Sequence, residues 1–216
     1  GGPFLNLKNN KIKKTPKLAT NHPNWKMGKK ISTDSATLMN KVFEVIEAKK
    51  IFNLSMNKFK ILIHPKSYVH AIVKFKNGLI KLVAHDTNMK IPIFNSIYDE
   101  NKIKFNSKKI NINILNNLNF SNVDIKKYPL INILKLIPQK ESLFETLLVS
   151  INDELVGLFL ENKIGFDEIS IRLNRLINNK TLLKYRQKKV NNFTQIEKLN
   201  EFVRLKTKTL SVISKN

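Results

Sequence analysis

At 216 residues, 42% hydrophobic and without cysteine, the chain is long enough to bury a core, and it excludes a disulfide framework and a thiolate metal site. No apolar run approaches the roughly 18 residues a membrane span needs, and the opening GGPFLNLKNNKIKK lacks the apolar centre of a secretory signal. The net charge of +23 is nearly all lysine, scattered over every segment with heavy asparagine and isoleucine; this reads as AT-rich coding drift rather than an arginine-led nucleic-acid surface.

Residues 1–28 read as loop, punctuated by Gly1, Gly2, Pro3, Pro16, Pro23 and Gly28. Residues 35–50 read as one amphipathic helix with Asp34 or Ser35 as its N-cap. Strand-like runs follow at 59–64, 68–75 and 79–84. The last two are joined through Lys76-Asn77-Gly78, a hairpin signal. Residues 88–97 suggest an edge segment, since Pro92 cannot donate to a ladder. Residues 99–127 are polar and Asn/Lys-rich, the best linker candidate. Beyond Tyr128-Pro129 the period turns helical, over 130–137, 141–162, 167–178 and 194–213. The expected fold is α/β (α+β), a first domain with a small, mostly antiparallel or mixed sheet and helices, followed by an all-α C-terminal helical domain. The expected boundaries are a leading loop over 1–28, the first domain over 29–105, a linker over 106–127 and the helical domain over 128–216.

On the first helix, with Asn40 at zero, Glu44 falls near about 40°, Lys41 near about 100° and Glu47 near about −20°. Taken alone, such a strip is an ordinary solvated helix face. Its surroundings suggest more. A helix start carries unpaired N–H groups and partial positive charge, so Ser35 with Asn40 and Lys41 would suit a phosphate. Glu44 lies roughly 6 Å further along, where a carboxylate would meet a metal held by the other end of a small phosphorylated substrate. A single carboxylate does not hold Mg²⁺, which wants several oxygens. His22 beside Pro23 and the lone Trp25 precede the helix in a loop that could be a lid. His64 and His70, on strands, read as packing or hydrogen-bonding residues.

GGPF (1–4), HPNWKMGKKISTDSATLMNK (22–41), VIEA (45–48) and IHPKSYVHAIV (63–73) closely resemble 1-deoxy-D-xylulose 5-phosphate reductoisomerases. So do NMKIPI (88–93), LNFSNVDIKKYP (118–129) and NDELVGLFLENKIGFDEI (152–169), in order along nearly the whole chain. The resemblance implies conversion of 1-deoxy-D-xylulose 5-phosphate to 2-C-methyl-D-erythritol 4-phosphate in the non-mevalonate isoprenoid pathway. It also implies NADPH and a divalent metal, Mg²⁺, Mn²⁺ or Co²⁺, the metal acting as a Lewis acid on the hydroxy-ketone. By the same resemblance Ser35, Asn40 and Lys41 match phosphate-holding residues, Glu44 a metal ligand that also contacts substrate, and His22 a substrate-contacting histidine. Trp25 and Met27 match residues that close over substrate and nicotinamide, and Gly28 a glycine near the cofactor.

The departures are specific. The family's nucleotide-binding domain, its other metal carboxylates, a catalytic lysine and the serine before GGPF are expected upstream of Gly1, so the chain reads as part of a longer polypeptide. Val42 stands where the family usually has glycine, and Asn152-Asp153 where it usually has Asn-Glu. Segment 5–21 is lysine-rich and degenerate. The implied partners are a phosphorylated small-molecule substrate and a second copy of the chain in a homodimer, with 68–97 as the expected interface. No specific nucleic acid or membrane is expected, and the compartment is bacterial cytoplasm or a plastid. The rivals are a basic nucleic-acid-binding module, which would show steep salt dependence, and a catalytically dead structural homologue.

Overall fold

The computed structural model describes residues 2–7, 12–98, 103, 105–109 and 111–212. Gly1 of the GGPF block, residues 8–11 of the expected lid, residues 99–102, 104 and 110 of the Asn/Lys-rich stretch and residue 213 of the last expected helix lie outside the described residues. The described residues of segment 1–28 are more ordered than a loop reading suggests. Phe4 is buried in the core, and a short helix α1 (Pro16–Ala19) buries Ala19 completely. Thr15 caps it by accepting from the Leu18 N–H, and Pro16 supplies a pre-set φ at its first position.

The single helix expected over 35–50 is two helices, α2 (Lys29–Thr37) and α3 (Met39–Phe52). They are separated by Leu38 in the left-handed region, at φ 60° and ψ 17°. Gly28, extended at φ −63° and ψ 159°, caps α2, and Leu38 caps α3, so neither Asp34 nor Ser35 is an N-cap. Both lie inside α2 and are buried. Leu38 is only 1% exposed and packs with Ile63 and Tyr128. Burial of its side chain offsets a left-handed backbone that costs a non-glycine residue about 1–2 kcal/mol.

The strands form two antiparallel pairs. β2 (Val69–Lys74) and β3 (Ile80–Ala84) make the expected hairpin, with Lys74 opposite Ile80 and Ile72 opposite Leu82. Gly78 takes φ +89° at the turn, which its lack of a side chain permits, and Asn77 Oδ1 accepts from the Leu79 N–H. β1 (Leu62–Ile63) pairs with β4 (Ser121–Asn122), so the Asn/Lys-rich stretch returns to add a strand beside the segment that follows α3. The edge segment expected at 88–97 is instead a helix, α4 (Lys90–Ile97). Pro92 falls in its first turn, where an N–H would have no helical partner in any case. A further short helix, α5, covers Ile112–Asn116.

Residues Pro129–Leu136 wind as a 3₁₀ segment, and four helices follow: α6 (Phe144–Leu160), α7 (Phe166–Ile177), α8 (Lys180–Leu183) and α9 (Phe193–Val212). Phe144, Leu147, Leu148, Ile151 and Leu155 recur on α6 at three- and four-residue spacing, and all are essentially inaccessible. They share one core with Leu173 of α7, Val203 of α9, and Met39 and Val42 of α3. The bulk of Val42, at a position where resemblance leads one to expect glycine, is absorbed by that core.

Beside this apolar core runs a polar crosslink. Asp34 Oδ1 accepts from the Asn152 amide at 2.8 Å, and Lys30 Nζ lies 3.0 Å from Asp34 and 2.8 Å from Asp153. Asp153 also pairs with Arg204 of α9 at 2.7 Å. The shorter carboxylate at 153 therefore reaches partners on both sides. Lys30 and Asp34 respond differently to their pairing. Burial lowers the Lys30 pKa, but the hydrogen bonds and charges of Asp153 and Asp34 outweigh it and raise it overall. Burial raises the Asp34 pKa by more than Asn152 and Lys30 lower it. The Asp34 side chain is 3% exposed, so desolvation dominates for the carboxylate.

Two consequences are measurable by urea unfolding of the full-length protein. Asp34→Ala should cost roughly 1–3 kcal/mol, because the buried Asn152 amide loses its acceptor. Asp34→Asn keeps an acceptor without a buried charge and should cost less. A raised folded-state carboxyl gives stability that is complete below its unfolded pKa and is lost as pH rises through the folded one. From about pH 4, the ordinary aspartate value, towards neutrality, wild type should therefore lose more stability than Asp34→Asn. Parallel pH profiles would contradict the buried-charge assignment.

Candidate active site

The N-terminal turns of α3 carry the strip. Lys41 Nζ donates to both Glu44 oxygens, at 2.8 and 2.7 Å, and Asn40 Nδ2 reaches Glu44 Oε1 at 3.4 Å. The Lys41 and Glu44 side chains are 41% and 54% exposed, so solvent screens the pair and it adds little to stability. Asn40 Oδ1 is buried and has no hydrogen-bond partner among the described residues. The cluster thus holds an ammonium, a carboxylate and an unused amide oxygen within one turn of helix. Glu47, on the same face, is exposed. Ser35 is not in that turn. It sits in the last turn of α2, 5% exposed, and its carbonyl accepts from Leu38 N–H at 3.3 Å.

Gly2 presses onto this turn. It has φ +76°, and a Cβ on it would meet the Ser35 carbonyl oxygen at 2.4 Å and Ala36 Cα at 2.8 Å. Both the backbone conformation and the close approach demand glycine. Gly28 differs, since a Cβ there meets nothing within 4 Å. No contact within the fold demands a bare backbone at Gly28.

The loop before α2 is organised around His22. Its Nδ1 accepts from the N–H groups of Asn24 at 3.2 Å and Trp25 at 3.1 Å. Asn24 Nδ2 then donates to Pro65 O at 2.7 Å and Ser67 Oγ at 3.0 Å, tying the loop to the turn before β2. Trp25 stands edge-on to His70, with ring centres 5.7 Å apart, and His70 stacks on His85 at 3.7 Å. His22, Trp25 and Met27 line an open cavity of ≈ 370 Å³. Burial lowers the His22 pKa, and the charge of Lys41 lowers it further. Burial also lowers that of His70, which feels both Lys41 and Glu44. Both imidazoles therefore lie within electrostatic reach of the α3 strip.

His70, read from its strand as a packing or hydrogen-bonding residue, stacks on His85 and lies 3.0 Å from its carbonyl, and it also adjoins Trp25. Its signal was its place in the IHPKSYVHAIV block; its approach to Trp25 depends on a loop more than 40 residues earlier in sequence, roughly the reach of a dozen helical turns. Among the described residues no group of three or more His, Cys, Asp or Glu is placed to hold a metal. Glu44 suits one position of a hard-cation site, and the remaining oxygens would have to come from outside these residues. Among the described residues no helix is long and apolar enough to cross a membrane.

Comparison with known proteins gives the family of the chain. Residues 1–52 match the model of the 1-deoxy-D-xylulose 5-phosphate reductoisomerase C-terminal domain, and residues 85–206 match that of the DXP reductoisomerase C-terminal domain. The chain is 55% identical over 213 residues to the 1-deoxy-D-xylulose 5-phosphate reductoisomerase of Pelagibacter ubique, covering 98% of this chain and 55% of that protein. It is 42% identical over 151 residues to that of Persephonella marina, covering 69% of this chain and 40% of the relative. A crystal structure of DOX-P reductoisomerase in complex with NADPH, fosmidomycin and magnesium superimposes with a TM-score of 0.90 at 29% identity, covering all of this chain and 54% of that one. The chain thus spans about half the length of the relatives it matches. By sequence along nearly its whole length and by fold, the chain belongs to the 1-deoxy-D-xylulose 5-phosphate reductoisomerase family.

Proposed function

We propose that this chain is the substrate-gripping part of a reductoisomerase that converts 1-deoxy-D-xylulose 5-phosphate to 2-C-methyl-D-erythritol 4-phosphate with NADPH. The observation that carries the reading is the convergence of Asn40 and Lys41 on Glu44, at a helix start within electrostatic reach of His22 and His70. Ser35, Asn40 and Lys41 hold the substrate phosphate. Lys41 makes a charge-assisted bond to the dianion, and Asn40 offers its Nδ2 amide, now 3.4 Å from Glu44 Oε1, as a second donor. Glu44 supplies one ligand to a divalent cation. Such a cation, Mg²⁺, Mn²⁺ or Co²⁺, supplies Lewis acidity at the hydroxy-ketone oxygens. With a phosphate and a cation present, the Lys41–Glu44 pair separates, each partner taking the opposite charge of the ligand.

His22 contacts substrate from a loop whose shape it dictates through two backbone bonds. Trp25 and Met27 close that loop over the reacting carbons and exclude water. Gly28 keeps space for the cofactor, in keeping with the open volume where its Cβ would stand. Holding the phosphate contributes binding energy remote from the reacting bonds, which fixes their orientation.

The chain divides, on this reading, into a lid (1–28), a substrate- and metal-binding segment (29–105), a connection (106–127) and a helical domain (128–216). Ile72, Val73, Leu82 and Val83 expose apolar surface on the hairpin, which supports residues 68–97 as a homodimer interface. The bacterial relatives support a bacterial cytoplasmic setting.

The phosphate assignment is tested in the full-length enzyme with Lys41→Ala. A hydrogen bond to a charged group is worth roughly 1.5–3 kcal/mol, so kcat/KM should fall about ten- to a hundredfold. With dephosphorylated 1-deoxy-xylulose, wild type should react poorly and the variant should lose little more. Equal impairment with both substrates would remove Lys41 from the phosphate.

Glu44→Gln should abolish the response of turnover to added metal while circular dichroism stays unchanged. Near-wild-type activity at low metal would contradict the ligand role. The 216-residue polypeptide by itself should show no turnover and no tight NADPH binding, since it brings a single site carboxylate. Detectable turnover would overturn that expectation.

A further inference from the structure

Asn152 lies on α6, 118 residues from Asp34, and is fully buried. Its amide reaches across to Asp34 Oδ1 at 2.8 Å, and Asp34 immediately precedes Ser35. We propose that Asn152 is a positioning residue for phosphate binding: from the helical domain it holds the last turn of α2 so that Ser35 and the strip at the start of α3 form one phosphate site. The proposal rests on the phosphate reading given above and adds to it a residue that touches no ligand.

Three constraints meet at this turn. Gly2 lies against the Ser35 carbonyl from one side. Leu38 ends α2 with a left-handed turn, and its N–H bonds back to that carbonyl. Asn152 fixes the neighbouring side chain from the third direction. Successive helical residues point about 100° apart, so anchoring Asp34 on α6 sets where Ser35 points. Lys30 reinforces the link by joining Asp34 to Asp153, the residue after Asn152, and Arg204 joins Asp153 to α9. Burial of the Asp34 carboxylate outweighs its pairing, so the set is a modest net source of stability even though removing one partner is costly. Their geometry acts on a single turn of helix, the one that carries a phosphate ligand. Phosphate recognition by short hydrogen bonds tolerates little displacement, and a shift of about 1 Å can cost a hundredfold in rate.

The test uses the full-length enzyme with the phosphorylated substrate and with dephosphorylated 1-deoxy-xylulose. Asn152→Leu removes the amide at similar volume. It should lower kcat/KM for the phosphorylated substrate about ten- to a hundredfold, mainly through KM, while the dephosphorylated substrate changes by less than about threefold. Asn152→Asp, which sets two carboxylates together, should be at least as impaired. The exchanged pair Asp34→Asn with Asn152→Asp again places an amide opposite a carboxylate and should recover most of the phosphate-dependent rate. If Asn152→Leu does not fold, the exchanged pair alone decides: phosphate selectivity restored supports positioning, and a folded exchanged pair without it overturns the proposal. Equal loss with both substrates would make Asn152 merely structural. Lys41→Ala measured alongside separates the two hypotheses. If it shows the phosphate-selective loss and Asn152→Leu does not, positioning fails; if neither shows it, the phosphate reading itself fails.

Discussion

The left-handed turn at Leu38 is the constraint from which the site follows. Had α2 and α3 continued as one helix, Ser35 and Asn40 would lie five residues apart, about 140° around the axis, and would face different ways. The break at Leu38 changes that relation, as the proposed sharing of one anion by both requires. Glycine would adopt this turn without cost, but leucine also fills the space against Ile63 and Tyr128. The chain accepts backbone strain there in exchange for burial, and the strain sits where strained residues often do, beside the functional groups.

Around that turn the polar groups fall into two kinds with different roles. The Lys41–Glu44 pair is solvated and loosely committed, and so free to exchange its partners for a ligand. The Asp34–Asn152–Lys30–Asp153 set is buried or partly buried and joins α2 to α6, with Arg204 extending it to α9. Its charges give little net stability but leave few alternative ways to dock the helices. Specific docking of the helical domain on the site-bearing helix is what such a set can provide.

Much of this was legible locally. The Asn77-Gly78 step announced the hairpin, and the spacing of Asn40, Lys41 and Glu44 announced their shared face. The helical pattern beyond Pro129 corresponds to a 3₁₀ segment and the α6–α9 helices. The break at Leu38 was hidden, because leucine is a strong helix former and no glycine or proline marks the position. Pro92 misled in the opposite sense: it argues against a strand interior but is tolerated in a helix's first turn. β1 and β4 are too short to show alternation. The Asp34–Asn152 bond and the meeting of Trp25 with His70 join distant parts of the chain, where no local period applies.

The bonding of His22 restricts what its ring can do. Because Nδ1 already accepts two backbone N–H groups, the neutral ring carries its proton on Nε2. Protonating Nδ1 would turn the acceptor into a donor facing donors and would unwind the Asn24–Trp25 corner of the lid. Burial and the nearby Lys41 charge also oppose that second proton. His22 is therefore held as a neutral ring of fixed tautomer that offers a hydrogen-bond donor at Nε2. A ring held this way suits steadying an oxygen better than shuttling protons.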